Sequence, residues 1–160
     1  MGTGKTAVGR ELSRLLNMRL IDVDTEIEKS ESMTINEIFA RSGEERFREI
    51  ETNMIRRISG NENVIISTGG GAVMKQANMD LLKKHGIIVC LTAAPETILQ
   101  RTINNSDRPL LRVQDPLGKI RELLDLRNPY YEKADLMIAT EGRNPLQIAE
   151  EIIEKAKNRI

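Results

Sequence analysis

Short apolar runs alternate with longer amphipathic stretches along the whole chain. The runs Arg19–Asp22, Val64–Ser67, 86–91 and Leu136–Ala139 are aliphatic and bounded by glycine or polar positions, which predicts strands. Between them, apolar residues recur at helical spacing. Val8, Leu12, Leu15 and Leu16 form a stripe over Lys5–Leu16. Phe47, Ile50, Met54, Ile55 and Ile58 do the same over 44–58, and the pattern continues over 120–126 and 148–153. Strands that alternate with helices predict an α/β fold of three layers, a parallel sheet flanked by helices on both faces.

Helix starts are marked in the sequence. Thr34 followed by Glu37 has the spacing of a capping box. Asn144 before Pro145 places a good N-cap ahead of proline at the first helical position. The least regular stretch is 104–116, polar with two prolines, and it is expected to be a mobile loop. A chain of 160 residues with no repeat and no low-complexity linker predicts a single domain.

Composition narrows the function. Lys plus Arg (24) balances Asp plus Glu (24), which argues against broad binding to nucleic acid or to an anionic membrane. Aromatic residues are only 2% of the chain and tryptophan is absent, so the core must be aliphatic and a stacking platform for single strands is not expected. A single cysteine, Cys90, excludes an internal disulfide and suits a reducing, cytoplasmic setting. No apolar run is long enough to span a bilayer. No apolar surplus suggests an oligomer, so a monomer is expected.

The chemistry begins at residue 2. Gly2-Thr3-Gly4-Lys5-Thr6 ends like the phosphate loop G-x-x-x-x-G-K-[ST] and runs directly into a predicted helix. Glycines let backbone N–H groups turn toward phosphate oxygens, and the helix presents its positive end to the same anion. Lys5 would reach the terminal phosphates and Thr6 would hold magnesium. A flexible glycine-rich terminus is the plain alternative, and the helix that follows at once favours the phosphate loop. Such a loop hangs from a central strand. No strand precedes it here, so the chain is expected to be N-terminally truncated, with a start inside a longer protein favoured over an inactive form.

Asp22-Val23-Asp24 closes the strand Arg19–Asp22. Carboxylates at the carboxyl end of such a strand face the crevice where open α/β sheets bind ligands. One can hold magnesium through water while the other orients or deprotonates an attacking hydroxyl. The alternative is that Asp24, Thr25 and Glu26 simply suit the next helix dipole.

With Phe47-Arg48-Glu49-Ile50-Glu51, Thr68-Gly69-Gly70-Gly71, Arg108-Pro109-Leu110-Leu111 and Arg127-Asn128-Pro129-Tyr130-Tyr131 following in order, the set resembles shikimate kinase from end to end. The resemblance implies a P-loop kinase fold with a mobile lid, its first central strand absent from this chain. It implies ATP and shikimate as small-molecule substrates, with Mg2+ as cofactor. Residues 24–59 would form the substrate-binding helices and 104–116 the lid of one domain, 1–160. Lys5, Asp24 and Arg108 would be catalytic. Asp24, Arg48, Gly69, Gly70, Gly71 and Arg127 would bind shikimate, the two arginines gripping its carboxylate. Gly2, Thr3, Gly4, Lys5, Thr6, Arg101, Arg108, Arg143 and Pro145 would bind ATP, and Thr6 and Asp22 the metal. Physical checks agree: Arg suits bidentate capture of a carboxylate, and three consecutive glycines are a large entropic cost outside a site of close backbone approach. Glu51, three residues after Arg48, can orient it. No acid ends Val64–Ser67, so Asp22 must take the metal role there.

Plainer readings fit other residues. His85 is expected at a helix end, Cys90 as a small buried hydrophobe, and Tyr130 and Tyr131 as packing at a helix end. Competing functions are another small-metabolite kinase such as a gluconate kinase, a nucleotide kinase, or a non-catalytic domain that keeps the fold. A gluconate kinase fits the Arg48, triple-glycine and Arg127 set poorly. Retention of Lys5, Thr6, Asp22, Asp24 and Arg108 speaks against a non-catalytic domain.

Overall fold

The computed structural model describes residues 2–102 and 113–157. Four parallel strands are laid down in chain order: β1 (Arg19–Asp22), β2 (Val64–Ser67), β3 (Val89–Thr92) and β4 (Leu136–Ala139). Seven helices surround them: α1 (Lys5–Leu16), α2 (Val23–Glu31), α3 (Ile35–Ile58), α4 (Gln76–Lys83), α5 (Pro95–Thr102), α6 (Pro116–Tyr131) and α7 (Pro145–Lys157). β1 pairs with β2, Arg19 opposite Val64, and β3 pairs with β4, Val89 opposite Leu136.

Among the described residues no ladder joins β2 to β3. Each keeps one open edge, and every residue of both strands is only half-buried. Helix α1 holds the two half-sheets together. Its Gly9 lies against Leu20 of β1, where an added Cβ would come within 3.0 Å of the leucine side chain. Its Val8 is buried with Ile138, Ile148 and Ile152, against which Val89 and Leu91 also pack. A cavity of about 500 Å³ opens beside β3 and reaches Lys5, Thr68 and Arg127.

Three predicted strands keep their bounds, but the run 86–91 becomes Val89–Thr92. Ile88 is occupied otherwise: its N–H donates to the Asp135 carboxylate at 2.8 Å and its carbonyl accepts from the Asp135 and Leu136 N–H groups. The helix predicted over 44–58 extends back to Ile35 through a break at Gly43, whose φ of 77° needs glycine. The capping box is present: the Thr34 hydroxyl accepts from the Glu37 N–H at 3.2 Å, and the Glu37 carboxylate accepts from the Thr34 N–H at 2.7 Å. Asn144 caps α7, its Oδ1 accepting from the Gln147 N–H at 2.9 Å. Of the stretch 104–116, residues 104–112 lie outside the described residues; at its end the Asp115 carboxylate caps α6 by accepting from the Gly118 N–H at 2.8 Å, with Pro116 in the first turn. Cys90, expected to be buried, is half-buried on the cavity wall. Burial pushes its thiol pKa up despite the nearby Lys5, so it is a poor nucleophile.

Candidate active site

The loop Thr68–Gly71 leaves the end of β2, and each of its three glycines meets a different side chain or pair of side chains. At Gly69 an added Cβ would stand 3.3 Å from Glu51 Oε1 and 3.6 Å from Asp24 Oδ1, so two carboxylates flank this residue. The Gly70 carbonyl accepts a hydrogen bond from the Tyr131 hydroxyl at 2.9 Å. At Gly71 a Cβ would fall 2.4 Å from Arg48 Nη2, so the guanidinium occupies the space a side chain needs. The glycines let a strand end, a helix face and two acids converge on one backbone segment.

Arg48 is aimed by α3. Its Nη1 donates to Glu51 Oε2 at 2.8 Å, and its Nη2 donates to Glu44 Oε1 at 3.0 Å. Its guanidinium also lies 5.1 Å from the centre of the Phe47 ring. Burial works against its charge, but the two carboxylates outweigh that and hold it firmly cationic. Glu51 itself is fully buried, and its Oε1 has no hydrogen-bond partner. Burial lifts its pKa above the usual carboxylate value, and Asp24 adds to the lift while Arg48 opposes it. Arg127 projects from α6 into the cavity, only 6% exposed. Its Nε is buried without a hydrogen-bond partner.

The phosphate loop sits across the cavity. Gly2 and Gly4 take left-handed conformations, with φ of 62° and 86°. α1 begins at Lys5 with no side-chain cap and no acid in its first turn, so its positive end is left for an outside anion. Thr3 and Lys5 both line the cavity. Arg101 of α5 donates to Thr140 Oγ1 at 2.9 Å and to the Gly2 carbonyl at 3.5 Å. Arg143 donates to the Ala139 carbonyl at 3.2 Å and pairs with Glu151. Both arginines therefore meet at the carboxyl end of β4, beside the glycine-rich loop, and Pro145 opens α7 next to them.

Asp22 caps α2, its Oδ1 accepting from the Thr25 N–H at 3.2 Å. The helix-dipole role weighed for Asp24, Thr25 and Glu26 is therefore shared with Asp22. Hard oxygen donors from Thr6 and Asp22 match what magnesium takes from a protein when phosphates supply the rest. Among the described residues no group of three or more His, Cys, Asp or Glu side chains forms a cage that would suit another metal. Arg108 and the lid residues up to 112 lie outside the described residues.

Sequence reasoning missed the Tyr131 hydroxyl contact, which spans 61 positions and leaves no local trace. It also missed Asn78, fully buried and donating to the Ala72 carbonyl at 2.8 Å behind the glycine loop.

Known proteins agree with this geometry. The sequence profile of the shikimate kinase family matches residues 1–157. A shikimate kinase from Thermodesulfovibrio yellowstonii is 48% identical over 155 residues, covering 97% of this chain and 90% of that protein. The structure of a shikimate kinase from Acinetobacter baumannii in complex with shikimate superimposes with a TM-score of 0.96 at 38% identity, over 99% of this chain and 89% of that one. A gluconokinase from Sinorhizobium meliloti shares the fold, with a TM-score of 0.62 at 15% identity over 99% of this chain and 90% of that one. By the family match over residues 1–157 and the 48% identity to the Thermodesulfovibrio protein, this chain belongs to the shikimate kinase family.

Proposed function

We propose that the protein transfers the γ-phosphoryl group of ATP to the 3-hydroxyl of shikimate, giving shikimate 3-phosphate and ADP on the route to chorismate and the aromatic amino acids. The observation that carries this reading is the Gly69–Gly71 loop, which gathers Asp24, Glu51 and Arg48 around itself. A ring acid with hydroxyls needs such a site: a cation for the carboxylate, and an acceptor for the reacting hydroxyl.

Arg48 and Arg127 grip the carboxylate as paired guanidinium forks. Asp24 orients the 3-hydroxyl and takes its proton as the oxygen attacks the γ-phosphorus. The bond from that phosphorus to the β–γ bridging oxygen breaks, and ADP leaves. Gly2, Thr3, Gly4, Lys5 and Thr6 cradle the phosphates, and Lys5 neutralises the charge that spreads over the γ-phosphoryl group. Thr6 and Asp22 would hold Mg2+, which would shield the phosphate charge when bound. Arg108 on the lid 104–116 covers the phosphates and keeps water out. Arg101 lies on one face of adenine, and the Arg143–Pro145 turn lies on the other. The chain acts as a single domain, 1–160, with 24–59 as the acceptor-binding helices, and works as a cytoplasmic monomer. No described helix is long and apolar enough to cross a membrane.

The test follows ADP release from ATP and magnesium with shikimate, with gluconate, and with no acceptor. Shikimate-dependent release is expected, and Asp24→Asn should lower it by about 10²–10⁴-fold. Release that is equal with gluconate, or that survives Asp24→Asn, would sink the assignment.

A further inference from the structure

The Tyr131 hydroxyl donates directly to the backbone of the glycine loop. It reaches Gly70 from the last residue of α6, the helix that also carries Arg127 one turn earlier. The Arg127 charge acts on that same hydroxyl, favouring its ionised form. One turn of α6 therefore carries both the proposed acceptor-binding cation and the phenol that reaches a backbone carbonyl of the glycine loop.

The consequence lies in the peptide plane. In a trans peptide the carbonyl of one residue and the N–H of the next point in opposite directions. A hydroxyl that fixes the Gly70 carbonyl toward α6 also fixes the Gly71 N–H away from α6. Three glycines in sequence resist such ordering, because each has more backbone freedom to lose than any other residue. The carbonyls on either side are already held: Gly69 accepts from the Ala72 N–H at 3.2 Å, and Gly71 accepts from the Met74 N–H at 3.1 Å. The carbonyl of the central peptide is held by Tyr131. Burial raises the phenol pKa despite the Arg127 charge, so the hydroxyl keeps the proton it donates.

We infer that Tyr131 is a positioning residue for the acceptor: its hydroxyl locks the Gly70–Gly71 peptide and couples that peptide to Arg127, so that loop and carboxylate clamp are set together. Tyr131 is not a catalytic residue, since it acts through the loop and the arginine. This inference rests on the shikimate reading of the site above. It gives an aromatic residue of α6 a role in affinity for the acceptor and none in affinity for the nucleotide.

Tyr131→Phe removes the hydroxyl and keeps the ring in place. The expected result is a KM for shikimate raised about tenfold, with the KM for ATP within about twofold of the parent. The Gly71 amide, followed by hydrogen exchange in labelled protein, should exchange faster in the variant. Tyr130→Phe, at the neighbouring tyrosine that lines the cavity with its ring 5.3 Å from Lys133, should change none of these readings because it leaves the Tyr131 hydroxyl in place. A purely structural tyrosine would lower Tm and move both KM values alike, and that result overturns the inference. So does an unchanged Gly71 exchange rate with an unchanged shikimate KM. A parent protein that turns over no shikimate would instead remove the reading on which the inference stands.

Discussion

The two half-sheets are built to different standards. Around β1 and β2, ten described residues form one buried cluster that runs from Ile21 through α2 and α3 to Ala72. Around β3 and β4 the buried cluster among the described residues is smaller, made of Val8, Ile138, Ile148, Ala149 and Ile152. The better-packed half carries Asp24, Arg48 and the glycine loop, proposed above to hold the ring acid. The leaner half carries the Arg101 and Arg143 corner proposed to border the nucleotide. Close-packed aliphatic residues transmit position, so the larger cluster is the stiffer scaffold.

The largest test of that contrast is a cavity in the dense half. Ile55 of α3 is completely buried, and Ile55→Ala should cost about 2–5 kcal/mol of stability in denaturant unfolding. It should raise the shikimate KM more than the ATP KM, because α3 is the scaffold of Arg48. Equal damage to both constants would mean that the halves are not separate mechanical units.

Next comes the clamp itself. Arg127→Ala should lower kcat/KM for shikimate by roughly 10²-fold, in keeping with about 1.5–3 kcal/mol for a charge-assisted bond. The KM for ATP should stay close to the parent value. A smaller effect follows from Gly71→Ala. The new methyl would meet the Arg48 guanidinium, which sits 2.4–2.8 Å from the Cβ position. The arginine side chain can move aside, so the fold should persist while shikimate affinity falls about tenfold. Retained affinity would show that Arg48 has room to reach the carboxylate from another rotamer.

Much of this was legible in advance because it is local. Strand bounds at β1, β2 and β4, the Thr34 and Asn144 caps, and the whole of α1 follow from periodicity and turn chemistry within a few residues. What escaped is long-range or marginal. α4 and α5 span eight residues each, too short for a clear stripe, although Pro95 with Glu96 in the first turn was a usable start signal for α5. β3 was set too early because an apolar run does not say which of its residues will be taken by the Asp135 hook. At the site, the motifs name Asp24, Arg48, Gly69–Gly71 and Arg127, but not that each glycine faces a different partner. Tyr131 has the same appearance in sequence as Tyr130, and only the fold separates the one that reaches Gly70 from the one that covers Lys133.

The smallest expected effect is a pH signature confined to the dense half. Glu51 is fully buried between Arg48 and Gly69. Its pKa is raised above the ordinary 4.5 by burial first and by Asp24, with Arg48 and Lys75 opposing. In the unfolded chain Glu51 regains the ordinary value. Between the two values the folded protein binds more protons than the unfolded one, so stability falls as pH rises. The contribution is complete below about 4.5 and is lost as pH climbs through the raised value. Glu26, Glu37, Glu96 and Glu151 are shifted the other way, so their stabilisation is lost only as pH falls below the ordinary carboxylate value. The two directions therefore act in separate windows. Glu51→Gln should flatten the descent above 4.5 in a Tm-against-pH series and leave the acid limb in place. An unchanged descent would mean that Arg48 holds Glu51 ionised, and that the buried pair is fully matched before any acceptor arrives.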